Sequence, residues 1–132
     1  MASASTKTTK KTKKIRKSVS HAHVHILCTL NNTIVTITDP EGNTLAQSSS
    51  GAAGFKGTRK STPYASQLAA ENAMNAAKGY GLEKVDVFMR GIGVGRDQSL
   101  RAVASSGVDI MNVQDITALP HGGCRKRKRR RP

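Results

Sequence analysis

Residues Arg125, Lys126, Arg127, Lys128, Arg129, Arg130 and Arg131 form seven consecutive cations near the end of the chain. Like charges repel, and no apolar side chain interrupts them, so this run cannot fold on itself and calls for a polyanion. Gly122 and Gly123 give it a flexible joint and Pro120 a stiff bend, and His121 counts with the cations among the candidate RNA contacts. A second basic run, Lys7, Lys10, Lys11, Lys13, Lys14, Arg16 and Lys17, occupies the other terminus, with no Asp or Glu among residues 1–17. Residues 18–124 hold eight Lys/Arg and all eight Asp/Glu, so the formal charge of +14 resides in the two tails. Such a balance points first to nucleic acid. An anionic membrane is the weaker partner, because no strongly amphipathic helix accompanies the basic runs.

Two internal loops have residue types that can meet phosphate. Gly91-Ile92-Gly93-Val94-Gly95-Arg96-Asp97 lies between an expected strand and an expected helix. Backbone N–H groups at such a place can receive a phosphate, and Arg96 adds charge. The dinucleotide fingerprint would need glycine where Arg96 stands, and no Gly-Lys-Ser/Thr marks a Walker loop. Three readings stay open: contact with an RNA backbone, a tight turn that needs small residues, and a nucleotide site. Gly54-Phe55-Lys56-Gly57-Thr58-Arg59-Lys60-Ser61 is the second loop. Glycine admits close approach of a phosphate, and Lys56, Arg59 and Lys60 neutralise it; the alternative is a solvated loop. Asn31, Asn32 and Arg101 join the candidate RNA contacts. Only four aromatic residues occur, which argues against base stacking and for contact with phosphate and shape.

His21, His23 and His25 alternate along one strand face, with His121 and Cys124 far along the chain. A metal site is conceivable. Zinc sites more often show pairs spaced two to four apart on turns, with cysteines to match, so the histidines are read as outward-facing or hydrogen-bonded. No metal, cofactor or catalytic set is expected, since a nuclease needs converging carboxylates and the eight acids are scattered.

These groups must be held by one modest body. The chain has 132 residues, one domain by length. No apolar run approaches the ~20 residues of a membrane span. No apolar segment follows the basic start, which argues against a secretory signal; a transit peptide is the alternative reading of that arm. Cys28 and Cys124 form no CxxC and are read as free thiols.

Residues 22–30 alternate, Ala22, Val24, Ile26, Cys28 and Leu30 on one face, which predicts a strand. Asn31-Asn32 predicts a tight hairpin turn through positive φ. Residues 33–38, dense in β-branched types, predict a second strand, Asp39-Pro40-Glu41-Gly42 a type I turn and residues 43–49 a weaker third strand. Thr62 is expected to cap a helix starting at Pro63, whose packed face is Ala65, Leu68, Ala69, Asn72, Ala73, Ala76 and Ala77. Gly79 and Gly81 end it. Residues 84–90 predict a fourth strand, followed by a short helix capped by Asp97 and stopped by Gly107, and residues 108–116 a fifth strand. The expected fold class is α/β, a mixed five-stranded sheet in the order βββαβαβ. The expected organisation is a disordered basic arm over 1–17, a single domain over 18–120 and a basic tail over 121–132.

The combination of Asn31 to Asp39 with Gly42-Asn43, residues 57–63, the 91–97 loop, Asp115, Pro120-His121 and Gly123-Cys124-Arg125 resembles the bacterial-type small-subunit ribosomal protein S-eleven family. The match runs from about His25 to Arg131 in order and spacing. The resemblance implies a ribonuclease-H-like body without that enzyme's carboxylates. It implies a place on the small-subunit platform, bridging helices of small-subunit ribosomal RNA and lining the messenger RNA cleft. Implied partners are the seventh and eighteenth small-subunit proteins and initiation factor three, without a membrane. The implied location is the cytoplasmic ribosome, or an organelle with bacterial-type ribosomes. Two departures stand out. Ile92 replaces the proline usual in Gly-Pro-Gly-x-Gly-Arg, and Gly122 and Lys126 replace Asn and Pro of the usual Pro-His-Asn-Gly-Cys-Arg-Pro; both loosen their segments. A metal-dependent nuclease of related fold and a histone-like condenser are the readings from other classes.

Overall fold

Alternation of small apolar and half-exposed residues sets the first strand, β1 (His21–Cys28), in the computed structural model, which describes residues 17–132. Ala22, Val24, Ile26 and Cys28 are buried, while the histidines and Leu27 between them are half-buried on the other face. The strand ends two residues early. Leu30, expected on the buried face, is 69% exposed, because the chain has already left the pleat at Thr29. No residue of the following turn has positive φ. The turn instead spans four residues: the Thr29 hydroxyl accepts from the amides of Asn31 and Asn32, and the Thr29 amide donates to the Asn32 carbonyl. The expected two-residue asparagine turn is thus replaced by a threonine-centred one.

β2 (Thr33–Thr38) returns antiparallel to β1, and β3 (Thr44–Ser49) antiparallel to β2. The Asp39 turn between them closes with the Gly42 amide on the Asp39 carbonyl, while the Asp39 carboxylate accepts from the Asn43 amide and side chain. A 3₁₀ turn over Gly57–Ser61 leads into α1 (Pro63–Ala77), where the Thr62 hydroxyl accepts from the Ala65 amide and Pro63 opens the helix. A second 3₁₀ turn, Lys78–Tyr80, stops at Gly81 in the left-handed region. β4 (Lys84–Gly91), α2 (Arg96–Ser105) and β5 (Asp109–Asp115) complete the chain. The sheet order is β3-β2-β1-β4-β5, with β4 parallel to both β1 and β5.

Two helix details differ from the expectation. The buried stripe of α1 is Ala65, Ser66, Ala69, Ala70, Ala73, Met74 and Ala77; Leu68 is half-buried, and Asn72 and Ala76 are exposed. The helix faces β2, β3 and α2 at once, so its contact stripe includes Ser66, Ala70 and Met74, which alanine spacing alone did not pick out. α2 is capped by Gly95 without a side chain, and Asp97 sits inside the first turn. There its charge meets the positive end of the helix dipole.

Val24, Ile26, Val35, Ile37, Met74, Val85, Val87 and Val103 form the centre of the core. Each fully buried side chain of this size contributes roughly 1.5–3 kcal/mol. β5 differs from the other strands. Ile110 is half-buried, but Met111 and Val113 are 58% and 47% exposed, so this edge strand leaves most of its surface in solvent. Among the described residues no helix is long and apolar enough to cross a membrane.

Candidate nucleic-acid interface

The topology sends four connections out of one end of the sheet. β1, β3, β4 and β5 run the same way, so the Asn31–Asn32 turn, the loop after β3, the glycine loop after β4 and the tail after β5 all leave at their carboxyl ends. In open sheets of parallel strands this is the end where ligands bind. The opposite end carries Asp39, Glu41, Glu83 and Asp109, four of the eight acids. Lys17 and Lys84 share that end, while Asp97 and Asp115 lie at the end with the candidate loops.

The glycine loop is pressed onto the protein itself. Gly91 has φ +102, and a Cβ placed there would lie 2.0 Å from the Cys28 carbonyl oxygen. A Cβ on Gly95 would lie 1.8 Å from Ser66 Oγ and 2.5 Å from Ser66 Cβ. Gly93 and Gly95 are both buried, and the Gly93 amide donates to the Cys28 carbonyl. The glycines thus let the loop lie against the end of β1 and the first turn of α1. Of the three readings of this loop, a tight packed turn accounts for Gly93 and Gly95 directly. What the loop offers outward is its exposed Ile92 and Val94.

Arg96 is committed inside the molecule. Its guanidinium donates to the Gly91 carbonyl, to the Thr117 hydroxyl and to the Asp115 carboxylate, the last at 2.7 Å. Asp115 also accepts from the Thr117 hydroxyl and amide, and the Gly91 amide donates to the Thr117 hydroxyl. The Thr117 hydroxyl and amide, with Arg96 behind them, hold the Asp115 carboxyl well below the usual carboxylate range. This clip ties the glycine loop to the end of β5 and fixes where the tail departs. Sequence reading missed Thr117. The Asp115-x-Thr117 spacing, a frequent side-chain-to-backbone turn, is the signal that marks it.

Asp115 has a folded pKa below its ordinary 3.8, so its contribution is complete above that value. It is lost as pH falls from there through the folded pKa. Asp39 is shifted the same way, chiefly by the Asn43 side chain. Thermal midpoints recorded from about pH 5 to about pH 2 should fall, and Asp115→Asn should flatten that fall. An unchanged acid profile in Asp115→Asn would show that the clip adds nothing to stability.

The remaining candidate contacts divide into groups. Lys56 and Arg59 are exposed on the 54–61 loop, and Lys60 is half-buried. Phe55 packs edge-on against Tyr64 at 5.8 Å, which braces this loop on the start of α1. Asn31 is exposed; Asn32 is half-buried, its side-chain oxygen accepting from the Thr33 amide. Arg101 is exposed on α2. Lys17 lies at the other end of β1, 4.0 Å from Glu41, and so stands apart from the cluster. Lys13, Lys14 and Arg16 lie outside the described residues. His121 and every residue from Arg125 to Arg131 are exposed, in a segment without helix or strand. Cys28 is buried, which pushes its thiol pKa up, whereas Cys124 is exposed.

Comparison with known proteins identifies the family. The family model described as ribosomal protein S11 matches residues 22–131, from the start of β1 to the last cation of the tail. The chain belongs to the ribosomal protein S11 family. A relative from Aquifex aeolicus (strain VF5), small ribosomal subunit protein uS11, is 53% identical over 122 residues, covering 92% of this chain and 98% of that protein. The family match includes the basic tail as well as the sheet, so both parts of the molecule belong to the family pattern.

Proposed function

We propose that the protein is a structural constituent of the small ribosomal subunit that binds and bridges helices of small-subunit ribosomal RNA. Seven contiguous exposed cations, leaving the sheet beside the glycine loop, are the observation that carries this reading. Family membership supplies the setting. The body, residues 18–120, is a single ribonuclease-H-like domain that acts as a mount and is not an enzyme. The basic arm over 1–17 and the tail over 121–132 reach into RNA. Lys56, Arg59 and Lys60 contact phosphate from the neighbouring loop, with Asn31, Asn32 and the Arg101 face beside them. The glycine loop and Arg96 act by shaping that surface. On the platform the protein helps line the messenger RNA cleft, next to the seventh and eighteenth small-subunit proteins and within reach of initiation factor three. Its location is the cytoplasmic ribosome; an organelle with bacterial-type ribosomes is the alternative.

Sedimentation of cell extract tests the assignment: the protein should travel with small subunits. A protein that coats DNA and RNA alike and sediments elsewhere would be a condenser, and magnesium-dependent cleavage of RNA would make it a nuclease. Binding of the purified protein to ribosomal RNA fragments should weaken steeply with salt. Each phosphate neutralised adds about 0.7–0.9 to the slope of log affinity against log salt. A slope near zero would refute phosphate contact as the binding mode.

A further inference from the structure

The face of the sheet turned away from the helices carries a cluster outside the RNA contacts proposed above. His21 and His23 are two residues apart on β1, so both project to this face. Asp86 lies directly across from His23 on β4. The three side chains converge: His21 Nε2 is 2.7 Å and His23 Nε2 3.8 Å from the same Asp86 oxygen. One donor atom from each lies within 4.8 Å of the other two. His25, the third histidine of the strand, is excluded. Its ring stacks on Phe88 at 5.3 Å, and its Nε2 faces the Thr38 hydroxyl at 3.3 Å. Phe88 also packs against the His23 ring at 5.2 Å and so limits how that ring can turn.

We propose that His21, His23 and Asp86 form a binding site for a zinc-class divalent transition metal ion, linking β1 to β4. Two imidazole nitrogens and one carboxylate oxygen are donors that suit zinc, cobalt, nickel and copper better than magnesium or calcium. Bond lengths of about 2.0–2.2 Å place donors in a tetrahedron a little over 3 Å apart. The two distances to Asp86 bracket that spacing, so small ring rotations suffice. All three side chains remain partly open, 39%, 27% and 21% exposed, which leaves room for a water or an outside ligand in the fourth position. All three residues lie on the paired strands β1 and β4, so the backbone already holds the donors in place before an ion arrives. The ion takes the place of a proton shared between His21 and Asp86.

The test uses the full chain, stripped of nucleic acid, with His121→Ala and Cys124→Ser removing the exposed donors of the tail. Cobalt(II) added at about pH 7.5 should produce the visible absorption of a bound, low-coordinate ion, and zinc should abolish it. Asp86→Asn and His23→Ala should each weaken binding at least about tenfold, the lower edge of what losing even an outer partner of a metal site costs. His25→Ala should bind as the parent does. In case a variant folds poorly, paramagnetic broadening by cobalt in the parent chain supplies a second readout, and it should be centred on residues 21, 23 and 86. Absence of cobalt binding at 100-fold excess, equal binding by Asp86→Asn and the parent, or broadening centred elsewhere would each overturn the site.

Discussion

Gly91→Ala is expected to unfold the protein or to destabilise it by at least about 3 kcal/mol, the upper part of the range for an overpacked site. The new methyl would sit 2.0 Å from the Cys28 carbonyl oxygen, an atom of the central strand's own backbone. No side chain can swing aside to relieve that clash. The φ of +102 adds strain for any residue with a Cβ. Gly122 offers the control, since it also has positive φ, +82, but nothing lies within 4 Å of its would-be Cβ. Gly122→Ala should therefore cost only the backbone strain and leave the melting transition nearly in place, because the tail is not packed. Urea denaturation of both variants decides the matter. Similar midpoints would mean that the glycine loop does not press on β1, and its glycines would again be open to a direct role in ligand binding.

Deleting residues 125–132 should have the reverse effect: little change in the fold and a large change in binding. Every residue of that segment is exposed, and none belongs to the core. Thermal midpoint and circular dichroism should match those of the full chain. Binding to ribosomal RNA should drop by orders of magnitude at moderate salt, since seven cations are lost. If each meets a phosphate, the salt slope should fall by about 5–6. Truncated protein should wash from small subunits at salt that leaves the intact protein bound. If instead the truncated chain unfolds, the tail is part of the body. If it binds as well as before, the loops at residues 31–32 and 54–61 carry the affinity.

The contrast between these two variants reflects what could be read from the sequence. The tail was legible because charge needs no partner to be recognised: seven cations in a row mean the same thing in any fold. The strands were legible where burial alternates strictly, as at Ala22 to Cys28 and at Val85, Val87 and Met89. The α1 stripe lies off the centre that alanine spacing suggests because alanine is compatible with either side of a helix; the positions of β2, β3 and α2, which no local pattern displays, decide that Ser66 and Met74 face inward. The candidate site shows the same limit. Glycines in the 91–97 loop looked available to a phosphate because sequence cannot display the Cys28 carbonyl and Ser66 against which they pack. Arg96 looked like an unpaired cation because its partner Asp115 is 19 residues away. The histidine spacing was visible, but the carboxylate that completes the cluster comes from a strand 63 residues after His23.

The register of the sheet bears on how the molecule is made. β1 is synthesised first and becomes the middle strand, yet its parallel neighbour β4 begins at Lys84. At about 5–20 residues per second, the 55 residues between Cys28 and Lys84 take roughly 3–11 s to appear. Throughout that interval the β4-facing edge of β1 has no strand beside it, and in its later part, once Ser49 has been made, the meander with β2 and β3 can be complete while α1 is still emerging to cover it. The nascent chain therefore passes through a three-stranded stage whose open border is the hydrogen-bonding edge of β1, ready to pair with whatever extended segment arrives first. Correct maturation depends on β4 winning that competition, and a ribosome pause between Ala77 and Lys84 would lengthen the very period in which it can be lost.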